Sequence, residues 1–246
     1  MPPAITKEYY ETYWSADGHC PIGALSDDVR RLFERHVGAE DACLDVGCGD
    51  GRTAGLWLQE HAGTYTGVDI SSRAVEMARS LGLEAISIED AARLPFPDDG
   101  FDVAVCIEVL EHLIDPHVAA CEIARVLRPG GMLVATVPNV SHWKQRADLA
   151  LRGRWNPTGD ELSVAQPWRD PHLRFFTPSA LERMLRACGF ERVAIGGRQG
   201  SIVRNLPGLE RFARSEPGPL WRWLVERIPT LGAGLYAVAQ TPDGGA

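Results

Sequence analysis

Ala42-Cys43-Leu44-Asp45-Val46-Gly47-Cys48-Gly49-Asp50-Gly51 is the stretch from which the rest of the chain can be read. The apolar run Cys43–Val46 predicts a short buried strand, and an amphipathic helical pattern opens at Arg52. Between them stand three glycines at alternate positions, Gly47, Gly49 and Gly51. Glycine at a strand-to-helix turn takes positive φ without a steric penalty. It also leaves bare backbone for a ligand, beside the free N–H groups of the new helix. The turn therefore predicts a nucleotide-type cofactor seated on the first βα connection.

Working outward, the pattern alternates. Thr53–His61 reads as a helix and Thr64–Asp69 as a second strand ending in an acid. Ser71 caps a helix closed by Gly82, and Leu83–Ile88 is a third strand. Phe101–Ile107 is nearly all apolar, as in a strand buried on both faces. Asp115-Pro116 opens a helix to about Leu127, and Pro129-Gly130-Gly131 turns the chain into a fifth strand, Met132–Val137. Alternation of this kind means a parallel sheet with right-handed crossovers and helices on both faces.

The rhythm then breaks. Residues 138–176 carry Trp143, Trp155, Trp168 and several prolines, and leave the end of a central strand, where ligands bind in such sheets. Thr177–Cys188 predicts a helix, Phe190–Ile195 a sixth strand, Leu220–Ile228 an amphipathic helix inside a second irregular insert (199–230), and Gly234–Gln240 a last strand. Upstream, residues 7–16 form an aromatic helical segment, either packed on the domain edge or lying as a flap with Tyr13 or Trp14 near the cofactor. Ser26 is a candidate N-cap for the helix carrying Val29, Leu32 and Phe33.

With 246 residues, 45% hydrophobic and 24% charged, the chain suits one domain with a full α/β core. A formal charge of −8 argues against broad nucleic-acid binding. No basic-then-apolar leader and no run of about 18 apolar residues is present, so neither a signal peptide nor a membrane span is expected. Six cysteines without a CxxC predict buried reduced thiols and a cytoplasmic protein.

Two cofactors compete for the glycine turn. The dinucleotide fingerprint G-x-G-x-x-G would put its third glycine at position 52, which is Arg52. Asp69 serves either cofactor, because both carry an adenosine ribose. Asp45 discriminates: its carboxylate suits the cationic amino group of S-adenosylmethionine and would repel a pyrophosphate.

Leu44–Gly51 resembles motif I of class I S-adenosylmethionine-dependent methyltransferases. Gly67-Val68-Asp69-Ile70-Ser71 resembles their second-strand motif, and Asp90–Phe96 the adenine-side motif. Phe101–Val103 through Glu108–Leu113 resembles the fourth-strand motif, and Arg125–Gly131 the turn before strand five. His172–Thr177 followed by Ala187–Phe190 is similar to the subgroup related to ubiquinone-biosynthesis O-methyltransferases. The matching blocks run in order over about 40–195.

The resemblance implies an α/β, doubly wound, mostly parallel seven-stranded Rossmann-like sheet with its last strand antiparallel and a lid insertion after strand five. Residues 1–246 would form a single methyltransferase domain, with 1–38 as an N-terminal helical cap and 138–176 and 199–230 as lid and substrate insertions. The cofactor S-adenosyl-L-methionine, leaving as S-adenosyl-L-homocysteine, would lie on Asp45, Gly47, Cys48, Gly49, Asp69, Ile70, Asp90, Ala91 and Ile107.

The candidate catalytic groups are His112 beyond strand four, His172 where the lid returns to the sheet, and His142 after strand five. A hydroxyl acceptor must lose its proton, and an imidazole suits that task. Arg146, Arg152, Arg154, Arg169 and Arg174 could recognise an anionic acceptor. No HExxH or paired CxxC is present, so no metal is expected. The (D/N)PP(Y/F/W) signature of base-amino methyltransferases is replaced by Cys106-Ile107-Glu108-Val109. The expectation is O-methylation of a small molecule by in-line displacement with a histidine base. N- or C-methylation, an NAD-type oxidoreductase and a non-catalytic cofactor-binding module are the alternatives.

Overall fold

The computed structural model describes residues 3–15, 25–155, 170–198 and 219–244. The helices are α1 (Pro3–Ser15), α2 (Asp27–His36), α3 (Gly55–His61), α4 (Ser72–Ser80), α5 (Pro116–Val126), α6 (Trp143–Arg152), α7 (Pro178–Ala187) and α8 (Pro219–Arg227). The strands are β1 (Ala42–Val46), β2 (Thr64–Asp69), β3 (Ala85–Ser87), β4 (Phe101–Ile107), β5 (Leu127–Pro138), β6 (Ala194–Arg198) and β7 (Gly234–Gln240). They form one seven-stranded sheet in the order β3-β2-β1-β4-β5-β7-β6. β7 runs antiparallel to both β5 and β6, and the other pairings are parallel.

From β1 the chain steps outward to β2 and β3, then returns to lay β4 on the other side of β1. This reversal opens a crevice at the carboxyl ends of β1 and β4, the expected ligand position in a doubly wound sheet. Successive strand residues point to opposite faces. Leu44, Val46, Ala104 and Cys106 pack with Ile123 of α5 and Leu181 and Leu185 of α7. Cys43, Val103 and Val105 pack with Phe33 of α2, Leu58 of α3 and Val75 of α4. Burial on both faces explains why β1 and β4 read as continuous apolar runs rather than as alternation.

Several boundaries depart from the sequence expectation. α3 starts at Gly55, because residues 52–54 remain in a turn. β3 is only three residues long. The sixth strand lies at Ala194–Arg198, not Phe190–Ile195. Phe190 is a buried core side chain ahead of it, and the strand continues through Gly196 and Gly197. A Cβ on Gly196 would meet the Tyr236 ring at 2.2 Å, so glycine here permits close packing and is not a stop. Residues 143–152, expected to be irregular, form α6, ended by Gly153 at φ 63°. Ser26 stands at the N-cap of α2, yet its hydroxyl makes no capping bond.

The reduced-thiol expectation is corrected at one pair. Cys121 of α5 and Cys188 at the end of α7 are disulfide-bonded, with Cα atoms 4.5 Å apart. The pairing follows from the packing of α5 against α7, which no local spacing reveals. Cys43, Cys48 and Cys106 are free and buried, as expected. Cys20, Trp168, Arg169 and residues 199–218 of the second insert lie outside the described residues.

Candidate functional site

The glycine turn is held by β2. The Gly47 and Cys48 N–H groups donate to the Val68 carbonyl at 2.8 and 3.0 Å. Asp69 braces it further: one carboxylate oxygen accepts from Gly49 N–H and the other from Ser71 N–H, both at 2.9 Å. Gly47, Gly49 and Gly51 all have positive φ, at 76°, 55° and 82°. A Cβ on Gly47 would fall 2.4 Å from Val109, and one on Gly49 would fall 2.9 Å from Trp14. Gly51 instead serves packing, since its Cβ would meet Leu83 at 2.0 Å. Arg52 turns outward and pairs with buried Asp50.

Asp45 is buried at the end of β1 and accepts a hydrogen bond of 3.2 Å from the Tyr65 hydroxyl. Burial pushes its carboxyl up to about 7; the Tyr65 bond opposes the shift and the Asp69 charge adds to it. Asp69 is raised as well, by burial, against the pull of its N–H donors. Two acids at the base of one turn without a buried cation are a site poised for a positive group.

A cavity of about 700 Å³ opens above this turn. Every expected cofactor residue lines it: Asp45, Gly47, Cys48, Gly49, Asp69, Ile70, Asp90, Ala91 and Ile107. His112 and His172 line it too, whereas His142, a buried residue at the start of α6, is not in its wall. The aromatic N-terminal segment is the flap of the two readings offered above. Tyr9, Tyr10, Tyr13 and Trp14 of α1 cover the cavity. Glu11 fastens α1 by accepting from the Ser72 and Arg73 N–H groups at 2.7 and 3.2 Å, which caps α4. Lys7 pairs with Glu89 at 2.8 Å.

Elsewhere on the cavity wall, a 3-10 turn (Leu110–His112) follows β4. The Glu111 carbonyl accepts from Leu173 N–H at 2.8 Å and Arg174 N–H at 3.0 Å, stitching the returning lid to this turn. The stitch sets His172 against His112, with ring centroids 4.6 Å apart. His172 Nδ1 bonds Asp170 at 2.6 Å, and His112 Nδ1 faces the Pro171 carbonyl at 3.3 Å. Burial, then the neighbouring His172, push the His112 imidazole down to about 4, so it is neutral near pH 7.

Two of the five arginines considered for an anionic acceptor have partners within the protein. The Arg174 guanidinium donates to the Leu173 and Ile114 carbonyls, and Arg152 pairs with Asp148. Among the described residues lining the cavity none is Arg or Lys, while eight are acidic: Asp45, Asp50, Asp69, Glu89, Asp90, Glu108, Glu111 and Asp115. Sequence reasoning did not single out Tyr10, Tyr65, Glu111 or Asp170 as site residues. The helical spacing of Tyr10, Tyr13 and Trp14 was the available signal for the flap; Asp170 had none, because only tertiary folding sets it beside His172.

Comparison with known proteins agrees with this geometry. Residues 44–135 match the methyltransferase domain family. The chain is 31% identical over 206 residues to a ubiquinone biosynthesis O-methyltransferase of Idiomarina loihiensis, covering 75% of this chain and 77% of that protein. It is 42% identical over 195 residues to the O-methyltransferase cnsE of Penicillium expansum, covering 74% of this chain and 64% of that one. The fold matches a crystal structure from Thermotoga maritima described as a SAM-dependent methyltransferase, possible histamine N-methyltransferase. That match has a TM-score of 0.60 and 19% identity, and covers 96% of this chain and 99% of the other. A sheet of this order with a glycine turn between two acids defines a class I methyltransferase. The chain belongs to the S-adenosylmethionine-dependent methyltransferase family.

Proposed function

We propose that the protein transfers the methyl group of S-adenosylmethionine to a hydroxyl of a small, non-anionic molecule. One observation carries this reading: the glycine turn and the Glu111–His112–His172 cluster line the same cavity. The residues fit the cofactor. Gly47 and Gly49 line the cavity beside Asp45, a buried acid in want of a cation. Asp69 keeps unused lone pairs for ribose hydroxyls, and Asp90 stands beyond it at the end of β3.

The bound cofactor supplies a sulfonium-activated methyl group. The chain's own residues then align, exclude water and manage a proton. Trp14 and Tyr10 close the cavity from above. A histidine Nε2, with Nδ1 held by Asp170 or Pro171, takes the hydroxyl proton of the acceptor. An acidic lining without Arg or Lys favours a neutral or cationic acceptor, and an amine is the second reading. A pyrophosphate cofactor is disfavoured by the same acids. No helix among the described residues is long and apolar enough to cross a membrane. The acidic lining favours a small-molecule acceptor over nucleic acid.

Methyl-labelled cofactor and a panel of small hydroxyl and amine compounds identify the acceptor. His112→Ala and His172→Ala should then each lower turnover by about 100-fold or more, the scale of proton-transfer catalysis. Affinity for S-adenosylhomocysteine should change little. Unchanged turnover in both variants would remove the histidine base.

A further inference from the structure

We propose that His117, Cys121 and Cys188 form a redox-gated site for one soft divalent metal ion of the Zn²⁺ type, open when the Cys121–Cys188 bond is reduced. The site lies at the seam of α5 and α7, and its residues take no part in the cavity wall.

Two of the ligands come from one helix. His117 and Cys121 stand four residues apart in α5, a spacing that puts both side chains on one face. Cys188 stands at the C-cap of α7, and the packing of α7 on α5 carries it to that face. His117 Nε2 lies 3.7 Å from Cys121 Sγ, and Cys188 Sγ lies 3.2 Å from the His117 carbonyl oxygen. All three ligand atoms fall within 4.8 Å of one another. His117 is exposed and both cysteines are half-buried, so an ion can reach them from solvent.

A disulfide alone needs no imidazole beside it. Two thiolates and an imidazole are a ligand set that soft ions select. In a tetrahedral Zn²⁺ site, sulfur and nitrogen stand about 3.6 Å apart and two sulfurs about 3.8 Å apart. The His117–Cys121 pair already has that spacing. The Cys121 and Cys188 Cα atoms, 4.5 Å apart, let the sulfurs reach theirs by χ1 rotation once the bond is broken. A water molecule would complete the fourth position. The cysteines are separated by 67 residues, so no CxxC marks the site in the sequence.

The gate is a two-electron exchange. A dithiol reductant breaks the S–S bond, becomes a disulfide itself, and leaves its two protons on Cys121 and Cys188. The metal ion then displaces both protons to solvent as the thiolates bind it. Excess small-molecule disulfide reverses the step. Both thiolates are oxidised to the Cys121–Cys188 bond, the ion is released, and the small disulfide takes two protons from solvent and leaves as two thiols. In either state α5 stays tied to α7. The tie bears on the cavity, because Asp115 at the head of α5 and His172 ahead of α7 both line it.

The test uses Co²⁺ alone as the probe, with the full chain oxidised or reduced by dithiothreitol that is then removed under inert gas. The reduced chain should bind Co²⁺ with thiolate-to-metal charge-transfer absorption, and the oxidised chain should lack that band. The band reports thiolate ligands and is blind to an ion held by oxygen and nitrogen elsewhere. Cys188→Ser should weaken binding by about 100-fold or more. His117→Ala, a change at an exposed position, should weaken it by about tenfold or more with the charge-transfer band kept. Zn²⁺ should displace the Co²⁺ and raise the urea midpoint of the reduced wild type but not of reduced Cys188→Ser. No charge-transfer band in the reduced wild type at millimolar Co²⁺, an equal band in the oxidised chain, or equal binding by the reduced wild type and His117→Ala overturns the proposal.

Discussion

The buried acid under the glycine turn makes cofactor affinity depend on pH in a direction the structure sets. In the free protein, burial holds the Asp45 carboxyl up to about 7. An ammonium group at that site favours the ionised form and lowers such a pKa by about 1–3 units. Binding of S-adenosylhomocysteine below pH 7 must therefore expel a proton. Affinity should rise from the bound pKa, about 4–6, up to about pH 7 and level off above. The total gain is roughly tenfold to a thousandfold, or about 1.4–4 kcal/mol.

The same carboxyl acts on stability with the opposite slope. Its folded pKa is raised above the unfolded value, so its contribution is most favourable below about pH 4 and declines as pH rises to about 7. The change is on the order of 4 kcal/mol in the ligand-free protein. Bound ligand should thus raise the unfolding midpoint more at pH 8 than at pH 5. Calorimetric titrations across pH 5–8, repeated at pH 6 in two buffers of different ionisation enthalpy, measure both the slope and the proton released. Asp45→Asn should weaken binding at pH 8 and flatten the profile. A wild-type profile that is flat, or that falls towards pH 8, would refute the assignment of Asp45 to the ammonium.

Two further expectations follow from the turn and from the helix pair. Gly49→Ala should weaken S-adenosylhomocysteine binding by about tenfold or more with a folding loss of only about 1 kcal/mol, since its new Cβ meets the flap at Trp14. Gly51→Ala should lose about 1–3 kcal/mol in a urea titration instead, because its Cβ drives into Leu83 in the core; equal effects of the two variants on binding would contradict this division. Reducing the Cys121–Cys188 bond, which closes a 67-residue separation, should lower stability by about 2–4 kcal/mol, seen as a lower urea midpoint; an unchanged midpoint would show that the bond is not formed in solution.

Much of this architecture could be read from the chain. β4 begins and ends where its apolar run does, because a strand buried in a parallel core tolerates little else, and β7 spans Gly234–Gln240 as expected. Asp115-Pro116 opens α5 as expected, with the Asp115 carboxylate accepting from His117 and Val118 N–H. The wall of the cavity was legible for a related reason: its residues follow strand ends, and topology alone brings those ends together. The sixth strand was misplaced because Gly196 and Gly197 look like a break until Tyr236 is seen lying against them. The disulfide, the orphaned Glu111 carboxylate and the Asp170 support for His172 depend on segments far apart in sequence. Glu111 in particular reads as one acid among many until the returning lid brings both imidazoles to it.

The central claim is that residues 42–51 seat S-adenosylmethionine and not a dinucleotide. Calorimetric titration of the full chain with S-adenosylhomocysteine and, separately, with NAD and NADP tests it most directly. The account predicts one site of about micromolar affinity for S-adenosylhomocysteine, weakened by Asp45→Asn, and no heat from either dinucleotide. Binding of NAD or NADP with no response to S-adenosylhomocysteine would contradict it.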